Sequence, residues 1–237
     1  MKPTKKQILL IMIFTDYQSA FSIPRLDRYS RACLGNNLKA IEAYKSNVRL
    51  SQSLFGTLSV FEVALRNQID AHYSAKFGRD WLRTQSSSGG FLLSKGCEKS
   101  LNSVNEVIIK LGKNYTHNEA IAQLGFGFWR YLFASKEFKA AGSTLLQILP
   151  KRPIKQGISQ TVVFDKLSDI NRIRNRIAHH EPICFNGWRQ PIGLSDTYAR
   201  RDFDNVITLL TWMGFDTNYI LKDVNEFDKE ALILRTI

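Results

Sequence analysis

The sequence predicts an all-α protein, a helical bundle, and three observations carry that reading. Apolar residues recur at spacings of three and four along most of the 237 residues, as they do on one face of an α-helix. Strand-like alternation is weak throughout, and no P-loop or dinucleotide glycine motif appears. An apolar content of 44%, with 11% aromatics, at this length suffices to bury a sizeable core.

The first segment imitates a secretory leader, because Lys2, Lys5 and Lys6 precede the apolar run Ile8-Leu9-Leu10-Ile11-Met12-Ile13-Phe14. Spanning a bilayer takes about 20 apolar residues, and no clear small-x-small cleavage site follows this run. A packed first strand or helix is therefore expected, with Met12 as an alternative start. Residues 1–21 read as an N-terminal extension and residues 22–237 as a single domain.

A helix is expected over Asn36–Val48, with Leu38, Ile41, Tyr44 and Val48 on one face. A second is expected over Ser51–Phe77, where Leu54, Leu58, Phe61, Leu65 and Ile69 form a stripe and Gly78 ends it. Ser86-Ser87-Ser88-Gly89-Gly90 reads as a loop, followed by a helix from Lys95 to Gly112. Thr116-His117-Asn118-Glu119 is a capping box that opens a helix through Phe133. Within it, Phe126, Phe128, Trp129, Tyr131 and Phe133 lie beside Arg130, with glycines at 125 and 127. Aromatics next to arginine can stack on bases, but core filling with close glycine packing is the favoured reading. The basic, proline-broken run 149–157 reads as a surface loop that could touch phosphates. Helices then run from Val162 to His180 and from Asp196 to Met213, with one more short helix after Gly214.

Lysine and arginine number 33 against 21 acidic residues, a formal net charge of +12. That excess favours a polyanion, either nucleic acid or an anionic membrane surface, over a basic surface without a dedicated partner. Cys33, Cys97 and Cys184 are odd in number and far apart, which argues against a zinc site or disulfide framework and suits a reducing cytoplasm. No motif calls for a metal or a cofactor.

The densest chemistry lies in Arg172-Ile173-Arg174-Asn175-Arg176-Ile177-Ala178-His179-His180-Glu181-Pro182. Leu167, Ile170, Ile173 and Ile177 would form the buried stripe of this helix. At 100° per residue, Asn175 and His179 fall within about 40° of each other on the opposite side, with Arg172 near them. Arg174 falls about 140° from His179, near the stripe edge. A long guanidinium, a loosening of the helix before Pro182, or a second subunit would each reconcile the two. His180 falls nearer the stripe, which suggests packing or hydrogen bonding. A histidine in the last turn can act as acid or base on a 2′-hydroxyl, and Arg174 can stabilise charge on a phosphoryl group. Arg172 and Arg176, with Glu62 on the earlier helix, are candidate supporting or RNA-binding residues, and the plain alternative is a capped helix end with surface arginines.

Arg174-Asn175, followed by Ala178-His179-His180-Glu181, resembles the R-N-x-x-x-H motif of HEPN-superfamily ribonucleases. The chain resembles most their Abi-like (AbiD/AbiF-type) abortive-infection members. Pro24-Arg25-Leu26, Glu62-Val63-Ala64-Leu65-Arg66-Asn67 and Phe126-Gly127-Phe128-Trp129 resemble that family's landmarks in its order, so the likeness extends over roughly residues 22–215. The resemblance implies a HEPN-like helical bundle with additional helices and metal-independent RNA cleavage, often at a composite site across a homodimer. It assigns Arg174, Asn175 and His179 to catalysis and His180 to an adjacent, supporting position.

Glu62, Arg66 and Asp70 share a face at i, i+4, so a charge-paired surface is one reading. Arg66 and Asn67 also flank the apolar stripe and could face the Arg174 helix, as earlier helices often do in HEPN sites; both readings stay open. Arg66 and His72 stand at an R-x5-H spacing, but lie about 120° apart on a helix, which marks coincidence. The expected function is thus an endoribonuclease toxin of anti-phage defence, cytoplasmic and without a membrane partner. Its partners would be RNA, a second copy of itself and a cognate antitoxin, either RNA or protein. The alternative is a non-catalytic RNA-binding HEPN module that regulates a defence or toxin–antitoxin system.

Overall fold

The computed structural model describes residues 5–187 and 193–237. Lys2 and the side chains of Ile8 to Met12 lie outside the described residues. Twelve α-helices are described: α1 Lys5–Phe21, α2 Ile23–Ala32, α3 Asn37–Phe77, α4 Trp81–Gln85, α5 Glu98–Leu111, α6 His117–Gln123, α7 Phe126–Tyr131, α8 Ser135–Ala140, α9 Gln160–Ala178, α10 Thr197–Met213, α11 Thr217–Ile220 and α12 Phe227–Arg235. A single antiparallel bridge, Phe185 to Leu194, is the only strand-like pairing among the described residues. The all-α expectation holds. No helix among the described residues is long and apolar enough to cross a membrane.

The chain divides into two compact units. The first comprises residues 1–57, 173–204 and 222–237, and the second residues 58–172 and 205–221. In the first unit, Leu26, Tyr29, Ala43, Leu50 and Leu54 are buried together with Ile173, Cys184 and Phe203. Phe203 stacks on Phe227 of α12 with ring centroids 4.5 Å apart. Asp196, itself buried, receives Arg235 of α12 through two hydrogen bonds of 3.0 and 2.7 Å, a forked charge-assisted contact that ties the C-terminus down. In the second unit, Tyr73 sits within an aromatic cluster with Phe77, Trp81 and Phe91. Trp129, Phe133, Leu167, Ile170 and Leu210 are also buried there.

Several elements differ from their sequence expectation for identifiable reasons. The two helices expected over 36–77 are one, α3, because nothing between Val48 and Ser51 breaks a helix and Leu50 is fully buried. Its large-residue stripe from Leu54 to Ile69 is buried as expected. The expected stripe upstream holds in part: Ile41 is buried and Tyr44 half-buried, but Leu38 and Val48 are exposed, and Ala40, Ala43 and Asn47 are buried beside Ile41. The helix expected to run to Phe133 breaks at Leu124-Gly125 into α6 and α7. Thr116 does cap α6, its hydroxyl accepting from the Glu119 N–H at 3.2 Å. Phe126, Phe128, Trp129 and Phe133 are core residues. A Cβ at Gly125 or Gly127 would meet nothing within 4 Å, so close packing is not the reason for those glycines. In the basic loop, Arg152 is held inward by the Leu146 and Leu149 carbonyls. All three cysteines are free and buried.

Candidate active site at the end of α9

The first unit carries the C-terminal turn of α9, where the motif ends. His179 still donates its N–H to the Asn175 carbonyl at 2.9 Å, so the helix is regular up to His179. The next two N–H groups turn back: His180 donates to Ile177 at 2.9 Å and Glu181 to Arg176 at 2.8 Å. This paired pattern is a Schellman stop, which requires a left-handed residue at its penultimate position. His180 fills it with φ 54°, a conformation usually left to glycine. Pro182 follows and cannot resume the helix.

Four contacts fix the turn. Arg176 donates to the Pro182 carbonyl at 2.7 Å and pairs with the Glu181 carboxylate at 2.8 Å. Arg25 of α2 donates to the His180 carbonyl at 2.7 Å. Asn47 of α3, buried, accepts the Ile183 N–H at 2.8 Å. Burial pushes the Arg176 guanidinium below its usual range and Glu181 opposes that shift. Arg176 therefore holds its own helix end in place, and only 15% of its side chain is exposed.

Asn175 and His179 are both exposed, one turn apart on the same face. Arg174 is half-buried, with its Nε shielded from solvent. Because the helix loosens only after His179, the loosening before Pro182 does not move Arg174 toward it, and the helical separation of about 140° stands. Of the expected stripe, Leu167, Ile170 and Ile173 are fully buried, while Ile177 is only half-buried. His180 is exposed rather than packed, so the packing role expected for it is replaced by a backbone role and an open side chain.

A groove of about 1000 Å³ lies against this turn. Ile177, Ala178, His180 and Glu181 form one wall, and the end of α1 with Arg25 forms another. The α3 face from Tyr44 to Phe55 forms the floor. Among the expected site residues, His180 alone lines it. Sequence reasoning missed Arg25 as a contact of the motif, since the two are 155 residues apart and no local pattern links them.

The other expected residues belong to the second unit. Glu62 and Arg66 are half-buried and Asn67 is exposed. The Arg66 Nε is buried without a hydrogen-bond partner. Arg172 pairs with Asp169 at 2.7 Å. Asp70 does not continue the expected charge ladder with Arg66; its carboxylate accepts from His117 at 2.7 Å and from Trp81 at 2.8 Å. The other His117 nitrogen lies 3.4 Å from Asp80, which also accepts from the Tyr115 hydroxyl at 2.6 Å. Burial disfavours the imidazolium, but the Asp70 hydrogen bond and the Asp70 and Asp80 charges outweigh it and hold the His117 pKa above its ordinary value. Burial acts the opposite way on Asp70, and the hydrogen bonds from His117 and Trp81 bring its carboxyl below the usual range. His72 bonds Thr144 at 3.0 Å and is pushed down by burial and Lys76.

No family model matches the chain, and neither a curated protein nor a solved structure matches it. The likeness to HEPN ribonucleases therefore stands on the residues of the motif and its landmarks.

Proposed function

We propose that this protein is a metal-independent endoribonuclease of the HEPN type that acts in abortive infection by cutting RNA. The observation that carries the reading is the exposed Asn175–His179 pair on the last turn of a helix whose end is pinned by Arg176, Arg25 and Asn47. A base beside an amide donor, on a helix end held in place, suits in-line attack on a phosphodiester. His179 removes the proton of a 2′-hydroxyl, the 2′-oxygen attacks the adjacent phosphorus, and the P–O5′ bond breaks as the 5′-oxygen takes a proton from water. The products are a 2′,3′-cyclic phosphate and a 5′-hydroxyl. Asn175 and Arg174 stabilise the charge on the phosphoryl oxygens.

One straight helix keeps Arg174 about 140° from His179, so a homodimer whose second copy completes the site is part of the proposal. RNA and an antitoxin, RNA or protein, are the other partners, in the cytoplasm. Expression in bacterial cells tests the reading: the wild-type chain arrests growth, and His179→Ala and Arg174→Ala restore it at equal protein level. Arrest that persists undiminished in His179→Ala contradicts the proposal.

A further inference from the structure

Of the aromatic run from Phe126 to Phe133, Tyr131 alone stays out of the core, half-buried at the end of α7. Its surroundings in the second unit are cationic. The Arg130 guanidinium lies 4.5 Å from the Tyr131 ring centroid and 5.2 Å from that of Phe164, a half-buried residue of α9. The ammonium of Lys99, an exposed residue of α5, lies 5.7 Å from the Tyr131 ring. The two rings stand 6.3 Å apart. Arg172, Arg176, Arg200 and Arg235 each face a carboxylate. Arg130 and Lys99 face none among the described residues. The carboxylates next to them in sequence are held elsewhere, Glu98 by the Gly96 N–H at 2.9 Å and Asp169 by Arg172. Asp165 projects about 100° away from Phe164 around α9.

The Ser168 hydroxyl, 3.1 Å away, is the one hydrogen-bond partner of the Arg130 guanidinium among the described residues, and its shielded Nε has none. Most of a five-donor fork, held by two rings, is therefore unused, and such a fork matches the oxygens of a phosphate. The Lys99 ammonium has no hydrogen-bond partner among the described residues and can swing off the Tyr131 ring, leaving that face to a base. An aromatic ring flanked by cations without counter-charges suits a single strand, whose bases stack on rings while its phosphates seek cations. We propose that Lys99, Arg130, Tyr131 and Phe164 form a contact site for a single-stranded segment of RNA. Its phosphates sit on Lys99 and Arg130, and one base stacks on Tyr131. The inference rests on RNA being the substrate, and none of the residues assigned to cleavage belongs to the site. On α9 itself, helical periodicity puts Phe164 and Ser168 within about 20° of Asn175.

A fluorescein-labelled 2′-O-methyl oligouridylate, which lacks the attacking hydroxyl and is not cut, serves as the probe. Fluorescence anisotropy with the full chain is expected to show binding that weakens about tenfold in Tyr131→Leu, consistent with loss of one stacked base. Lys99→Gln, on an exposed side chain whose loss leaves the fold intact, weakens it and lowers the salt slope by about one. Lys110→Gln removes the same charge from an exposed position on the same helix, leaves binding unchanged and serves as the control. Wild-type affinity in either Tyr131→Leu or Lys99→Gln overturns the inference. So does an equal loss in Lys110→Gln, which would reduce the effect to overall charge. Cleavage that needs His179 while Tyr131→Leu and Lys99→Gln bind normally sinks this site and spares the nuclease. Probe binding that falls in those two variants while no RNA is cut sinks the nuclease and spares the site.

Discussion

At the scale of single residues, His117 is held by two carboxylates and His180 by the backbone turn it closes. His117 is clamped between Asp70 and Asp80, which hold its pKa above the ordinary value. A raised histidine stabilises the fold fully below its unfolded pKa of about 6.5, and that contribution is lost as pH rises through the folded value. Asp70, shifted down, contributes above about 3.9 and loses its share as pH falls through its lowered pKa. The pair is thus intact in mildly acidic solution and fades on the alkaline side. His117→Gln is expected to cost roughly 1–2 kcal/mol at about pH 5.5 and less near pH 9, read from urea midpoints at the two pH values. A pH-independent difference would show that only packing was lost. His180 sits at φ 54°, so His180→Gly should relieve strain and stabilise by about 0.5–1 kcal/mol, visible as a higher melting temperature. Left-handed non-glycine residues cluster at functional sites, and the same variant should lower RNA cleavage.

At the scale of elements, α3 decides how much of the fold the sequence makes legible. Its second half is readable because Leu54, Leu58, Phe61, Leu65 and Ile69 are large, apolar and evenly spaced, and all are buried. Its first half is legible only at Ile41, because Ala40, Ala43, Ser46 and Asn47, small or polar residues that no hydrophobic pattern marks, are buried with it while Leu38 and Val48 are exposed. Asn47 is inside because it caps the Ile183 N–H, a tertiary reason invisible in a local window. Leu50 sits where two helices were expected and one runs, with no exposed surface. Leu50→Ala should therefore cost about 2–4 kcal/mol in a denaturant titration, whereas a residue in a frayed joint would cost well under 1. The α9 end was legible in part. Pro182 announced a stop, but the Schellman turn, and with it the open side chain of His180, depends on φ values that the residue string does not display.

At the scale of the whole molecule, net charge and buried thiols frame the remaining expectations. A chain of net charge +12 that holds RNA through phosphates releases counterions on binding. Its affinity for single-stranded RNA should fall by about tenfold or more between about 50 and 200 mM salt, and a flat salt profile would argue against phosphate contacts. Cys33, Cys97 and Cys184 are buried, and burial pushes the Cys97 thiol up to about 11 and Cys184 up to about 12. None should react with a thiol reagent until denaturant is added. Candidate chemistry was legible as residue types at a spacing, because a helix converts spacing into faces. The partners of that chemistry were not, since Arg25 reaches the motif from far away in the chain. The central claim is that the end of α9 cuts RNA with His179 and no metal. Purified protein incubated with RNA in excess EDTA tests it most directly, with the product ends analysed for wild type and His179→Ala. The account predicts 2′,3′-cyclic phosphate ends from the wild type and none from the variant. Equal cleavage by both, or cleavage abolished by EDTA, would contradict it.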